Sequence, residues 1–169
     1  EPKNEMSISS LKNDWAEQDP NVWWKHTCTA IKRVCKESNI DPKKIISIGI
    51  SYQMHGLVIV DKNGEPLRDS IIWCDSRAVN IGNDAYEKLG EDKCMSHLLN
   101  SPGNFTASKL KWVKENEPEV YEKIYKYMLP GDFIAYKLTG EINTTRNGLS
   151  EGIIWDYKNN ETANWLLDF

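Results

Sequence analysis

Several absences narrow the reading before any motif is considered. No apolar run approaches the roughly 18 residues that a membrane-crossing helix needs. No charged segment followed by an apolar one opens the chain, so no signal peptide is visible. The chain begins at Glu1 rather than Met, which reads as a trimmed or omitted start. Excess positive charge is missing too: 21 Lys and Arg stand against 25 Asp and Glu, for a formal net charge of −4. That balance argues against nonspecific nucleic-acid binding and against an anionic membrane surface. The four cysteines, Cys28, Cys35, Cys74 and Cys94, form no CxxC pair, and no Cys/His pair has metal-ligand spacing. They read as reduced thiols of a cytoplasmic protein. Neither GxxxxGK followed by Ser or Thr nor GxGxxG occurs, so a P-loop and a dinucleotide fingerprint are both absent. There is no internal repeat, low-complexity tract or flexible linker.

What is present fits one domain over 1–169, long enough to bury a core. Glu1 to Ser10 reads as an extended entry segment and Trp15 to Gln18 as a loop. Asp19-Pro20 caps a helix whose apolar stripe is Trp24, Cys28, Ile31 and Cys35, ending near Ser38-Asn39. Helices are expected over Ala78–Gly90, Glu91–Asn100, Phe105–Asn116 and Phe133–Leu138. Pro118 opens a further helix carrying Val120, Tyr121, Ile124, Tyr127 and Met128. Strands are expected at Glu141–Arg146 and Ile153–Asp156, with a last helix starting near Thr162.

The chain is organised around Ile45 to Arg77. Ile45, Ile46, Ile48 and Ile50 predict a strand buried on both faces. Gln53, Met54, His55 and Gly56 follow it. Leu57–Val60 predicts a second strand, Asn63-Gly64 a hairpin turn, and Asp69–Trp73 a third strand delivering Cys74, Asp75, Ser76 and Arg77. Polar side chains at strand ends are where open α/β sheets place ligands. Imidazole and carboxamide groups can donate and accept, which suits a ligand with many hydroxyls. The plainer alternatives are a turn histidine at His55, a surface ion pair between Asp75 and Arg77, and a helix cap at Asn104. Trp73 reads as core, Lys109 as a solvated helix lysine, and His26 and His97 as structural.

Four blocks carry a resemblance: GISYQMHGLVIVDKNG at Gly49–Gly64, IIWCDSR at Ile71–Arg77, GNFTASKLKWVKENEP at Gly103–Pro118 and LPGDFIAYKLTGE at Leu129–Glu141. Together they resemble the FGGY carbohydrate kinases, and among them those acting on xylulose. The resemblance implies an α/β, ribonuclease-H-like fold of the actin/Hsp70 ATPase type: a mixed sheet with flanking helices, incomplete at both ends. It implies that 1–169 is most of the N-terminal, sugar-binding domain, without the C-terminal ATP-binding domain. The intact enzyme would phosphorylate D-xylulose at O5 with ATP and Mg²⁺. Gln53, Met54 and His55 would hold the sugar, with Asp75, Arg77 and Asn104 assisting. The catalytic aspartates would lie outside this chain, which alone would be inactive and hold no metal. The expected partner is a small sugar, with no nucleic acid and no membrane; a homodimer of the intact enzyme is left open.

Two alternatives stand beside this. One is a non-catalytic sugar-binding or regulatory module of the same fold. The other is a family member for L-ribulose, L-fuculose or glycerol, although glycerol kinases carry an Arg-Glu pair where this chain has Gln53-Met54-His55-Gly56. One departure bears on substrate identity. Where xylulose-specific relatives run through a TD-x-SDAS-like stretch, this chain reads Thr144-Thr145-Arg146-Asn147-Gly148-Leu149-Ser150, keeping only the last serine.

Overall fold

Asp19-Pro20 starts the longest helix. In the computed structural model, which describes residues 1–169, α1 spans Pro20–Glu37. The Asp19 carboxylate accepts from the Asn21 amide at 2.8 Å, and Pro20 fills the first turn, where no amide is needed. The further helices are α2 (Val79–Leu89), α3 (Glu91–His97), α4 (Thr106–Asn116), α5 (Pro118–Tyr121), α6 (Pro130–Thr139), α7 (Arg146–Glu151) and α8 (Asn164–Leu167). The strands are short: β1 (Glu17–Gln18), β2 (Val58–Val60), β3 (Ser70–Ile71), β4 (Lys126–Met128), β5 (Trp155–Asp156) and β6 (Glu161–Thr162).

β1 pairs antiparallel with β3, and β2 with β4, Ile59 standing opposite Tyr127. A Leu57–Ile71 bridge joins the two ladders in the order β1-β3-β2-β4. Period-two alternation then buries both faces. Val58 and Val60 face Trp23, Phe133 and Ile134 of α1 and α6, while Leu57 and Ile59 face Val113 of α4. Each such side chain contributes about 1.5–3 kcal/mol of burial. The Asp61–Gly64 turn aims the sheet: Gly64 N donates to Asp61 O at 3.0 Å, and Gly64 alone of the Asn-Gly pair has positive φ, at 77°. This is the longer hairpin loop closed by a left-handed glycine.

Four sequence expectations are corrected. Ile45–Ile50 forms no strand: residues 46–54 make no backbone hydrogen bond, and Ile46 is 99% exposed. A strand exists only by pairing, and no other edge of these 169 residues reaches this one. The stripe from Val120 to Met128 is not one helix; α5 stops at Tyr121, and the β-favouring Tyr127 and Met128 pair with β2. Glu141–Arg146 is not a strand, because the Thr145 hydroxyl accepts from Gly148 N at 3.0 Å and caps α7. Trp15–Gln18 is not wholly a loop, since Glu17 and Gln18 pair with β3.

A second core joins α2, α3 and α8 through Ala85, Cys94, Leu98, Ile153, Ala163 and Leu166. Beside it the buried Asp156 carboxylate accepts from His97 Nδ1 at 2.8 Å, Asn159 N at 2.9 Å, Asn159 Nδ2 at 3.1 Å and Trp165 Nε1 at 3.0 Å. Burial alone would raise this carboxyl, but the hydrogen bonds from Asn159, Trp165 and His97 outweigh it and hold the pKa down to about 2.

Two outcomes are expected. Ile46→Lys should leave the melting temperature unchanged, because that side chain buries almost nothing in the chain; a clear drop would show that the segment packs. Asp156→Asn should lower the melting temperature at neutral pH, because an amide NH₂ would face donors. A depressed carboxyl contributes stability above its unfolded pKa of 3.8 that is lost as pH falls toward about 2. The wild type should therefore lose stability across that window and the variant should not; identical acid limbs would contradict the assignment.

Candidate functional site

Three polar stretches converge at one end of the sheet: residues 53–56, residues 73–77 after β3, and residues 104–105 before α4. A lysine joins two of them. Thr106, Lys109 and Val113 share the inward stripe of α4, and each is 0% exposed. Lys109 Nζ donates to His55 O at 2.8 Å and to Ile72 O at 3.0 Å. The expectation of a solvated lysine is thus corrected. Its spacing with Val113 was the available signal, overridden because a charge was assumed to face water. Burial pulls its pKa down to about 8, against the opposing pull of Asp75.

His55 is held from several sides. Its backbone is left-handed, with φ 61°. Its amide donates to Glu151 Oε1 at 3.0 Å, and its ring Nδ1 lies 3.3 Å from Glu151 O. The ring packs edge-on against Phe105, with centroids 4.3 Å apart. Burial holds the imidazole below its ordinary pKa, outweighing the opposing pull of Glu151. Glu151 Oε2 also accepts from the Tyr52 hydroxyl at 2.8 Å, and burial followed by Glu151 pushes that phenol well up. The Tyr52 ring sits on Gly131, where an added Cβ would lie 2.2 Å from it. Sequence reasoning missed Glu151; its only signal was the departure just before it.

Asp75 and Arg77 meet as an ion pair facing inward. The fully buried Asp75 carboxylate accepts from Ala16 N at 2.6 Å, Arg77 N at 3.0 Å and Arg77 Nη2 at 2.6 Å. Arg77 also pairs with Glu17 at 2.7 Å, and Arg68 pairs with both Glu17 and Glu117. The Arg77 guanidinium lies 3.7 Å from the Trp15 ring centroid and 4.8 Å from that of Trp112. Asn104 does not cap α4: its Nδ2 donates to Asp75 O, and its Oδ1 is buried without a partner. Gln53 Oε1 accepts from Trp73 N at 3.4 Å. Met54 is 54% and Trp73 61% exposed, so Trp73 is corrected from core to surface.

The two main cavities lie elsewhere. One of about 720 Å³, mostly apolar, lies between α4, β4, α6 and α7, and one of about 550 Å³ lies beside residues 1–9 and the start of α1. None of Gln53, Met54, His55, Asp75, Arg77 or Asn104 lines either. The site is an open surface of loops. No cluster of three His, Cys, Asp or Glu side chains could hold a metal, and no helix is long and apolar enough to cross a membrane.

Lys109→Met should strip both carbonyls of their donor and cost about 1–3 kcal/mol in chemical denaturation. The loss should depend on pH. Below about pH 8 the folded and unfolded chains are both charged and the burial penalty is in force; between about 8 and 10.5 the folded chain releases its proton first and stability rises. The wild-type curve should therefore climb relative to the variant over that window. A parallel pair of curves would contradict a buried, depressed lysine.

Comparison with known proteins agrees with this architecture. The N-terminal domain of the FGGY family of carbohydrate kinases matches residues 2–168. A xylulose kinase of Staphylococcus xylosus is 34% identical over 157 residues, covering 92% of this chain and 32% of that protein. Among solved structures, a xyloylose kinase from Brucella ovis superposes with a TM-score of 0.85 at 31% identity, covering 97% of this chain and 34% of its own. A gluconate kinase from Lactobacillus acidophilus gives 0.85 at 26% identity, covering 98% and 33%. This chain thus spans about a third of the length of the relatives it matches. The fold is the ribonuclease-H-like one of these sugar kinases, and the chain belongs to the FGGY family of carbohydrate kinases.

Proposed function

We propose that these residues are the sugar-binding part of a cytoplasmic kinase that phosphorylates D-xylulose at O5, using ATP and Mg²⁺. The observation that carries the reading is the convergence at His55. Its Nε2 makes no hydrogen bond within the chain and is not among the buried unpartnered atoms. Beside it stand a Gln53 carboxamide and the exposed faces of Met54 and Trp73, while the unpartnered Asn104 oxygen is buried and takes no direct part. Donors, acceptors and an apolar wall in one open patch suit a chain of hydroxyls on a carbon backbone. The kinship with xylulose kinases supports the ketose.

Asp75 and Arg77 act indirectly in this reading. Apart from the buried Arg77 Nη1, their side-chain polar atoms are bonded within the chain, so they fix the 73–77 loop and, through Asp75 O, the Asn104 side chain. His55 binds a sugar hydroxyl and orients the ketose. The residues present do not fit a Mg·ATP site, because no metal-binding cluster occurs among them and the sequence has neither a P-loop nor a GxGxxG motif. Phosphoryl transfer needs metal ions and a phosphate cradle, together with a base for the hydroxyl, and no step of it is assigned to this chain.

The test is D-xylulose titration of the ¹⁵N-labelled chain followed by NMR. Weak binding is expected, because an open patch exchanges water hydrogen bonds for equivalent ones. Amides of Gln53, His55 and Asn104 should shift together. His55→Ala should abolish the response while leaving the melting temperature nearly unchanged, since the clamps from Glu151 Oε1 and Lys109 engage the backbone. In a coupled assay the chain should show no turnover of ATP with D-xylulose; rates near the ~1–100 s⁻¹ of kinases would contradict the reading. Shifts confined to other residues would remove His55 from the site.

A further inference from the structure

Glu151 touches the His55 loop three times, with two different kinds of atom. Its carboxylate takes the His55 amide at 3.0 Å and the Tyr52 hydroxyl at 2.8 Å. Its carbonyl takes the imidazole Nδ1 at 3.3 Å. A carbonyl oxygen can only accept, so Nδ1 must carry the proton. In a neutral ring Nε2 is then a bare lone pair. Lys109 fixes the other side of the same residue by binding His55 O, and Phe105 fixes the ring plane. The left-handed backbone at His55 shows how much the surroundings determine its place.

We propose that Glu151 is a positioning residue that holds His55 as its Nδ1–H tautomer, so that Nε2 presents an acceptor and the site selects neutral polyhydroxy ligands over sugar acids. This rests on the sugar-binding reading of His55. A hydroxyl donates to Nε2 and is matched. A sugar-acid carboxylate can only accept, so it meets a lone pair with a lone pair, and the Glu151 carboxylate adds like-charge repulsion. An engaged carboxylate would require His55 to gain a second proton in a place that disfavours its charged form. Glu151 thereby sets a ligand preference without touching the ligand.

The experiment uses the ¹⁵N-histidine-labelled chain, whose three histidines are His26, His55 and His97, with the His55 signal assigned from a His55→Asn sample. Long-range ¹H–¹⁵N spectra at neutral pH should show His55 protonated on Nδ1 and bare on Nε2. A dominant Nε2–H form would overturn the proposal whatever the sugar does. D-xylulose should move the Nε2 resonance and gluconate should not. Gluconate binding with protonation of His55 would overturn the selectivity. If the tautomer is as stated but neither compound moves Nε2, the sugar-binding reading itself fails, and the selectivity with it. Glu151→Ala keeps the carbonyl that faces Nδ1 but loses the two carboxylate hydrogen bonds that anchor the His55 loop against it, so the Nε2–H form should become populated and D-xylulose binding should weaken by up to about thirtyfold, at about 1 kcal/mol for each bond. Glu151→Gln should restore both, because its oxygen still accepts from the His55 amide and its NH₂ can donate to the Tyr52 oxygen. Unchanged tautomer and affinity in Glu151→Ala, or no rescue by Gln in a folded variant, would remove Glu151 from the role.

Discussion

A buried ammonium group holds this end of the molecule together. Lys109 lies under two stretches of chain joined by the single Leu57–Ile71 bridge, and it binds a carbonyl from each. An ammonium without partners in such a place would be very costly. Two carbonyls and the nearby Asp75 charge offset much of that cost, and the depressed pKa records what remains. The geometry follows: His55 O and Ile72 O must both lie within hydrogen-bond reach of one nitrogen, so the loops beside them are brought together. The candidate site is the surface those loops make.

The second constraint is charge in an aromatic box. Two arginines, Arg68 and Arg77, meet three carboxylates, Asp75, Glu17 and Glu117. Trp15 and Trp112 flank Arg77 and meet edge-on at 5.2 Å. Arginine suits this place better than lysine would, because its planar group stacks and forks at once. The network ties β1, the 73–77 loop and the end of α4 to one another. Asp75 thereby reaches Asn104 through its own carbonyl, so a fully buried pair shapes a surface it does not touch.

The fold was legible wherever local chemistry decides. Asp19-Pro20, Gly140 with its φ of 78° and the alternation of Leu57–Val60 each have one favoured outcome. It was least legible where a distant partner decides. Ile46, Ile48 and Ile50 have every property of a buried strand except a neighbour. Tyr127 and Met128 fit a helical stripe equally well, until pairing with β2 selects a strand. Thr145 falls in a stretch whose pattern suggests a strand, until its hydroxyl takes the Gly148 amide and caps α7. For the site, the motif picked out loops that the fold brings together at one end of the sheet. It could not tell which side chains face outward: Trp73 went to the surface, Lys109 to the interior, and Glu151 arrived from 96 residues beyond His55.

The central claim is that a sugar lies against these loops and not in the larger apolar cavity behind them. A crystal structure of the chain soaked in D-xylulose tests this most directly. The account requires sugar density beside His55 Nε2 and the exposed faces of Met54 and Trp73, with Lys109 still bonded to His55 O and Ile72 O. Sugar seated instead in the cavity of about 720 Å³ between α4, β4, α6 and α7 would contradict it.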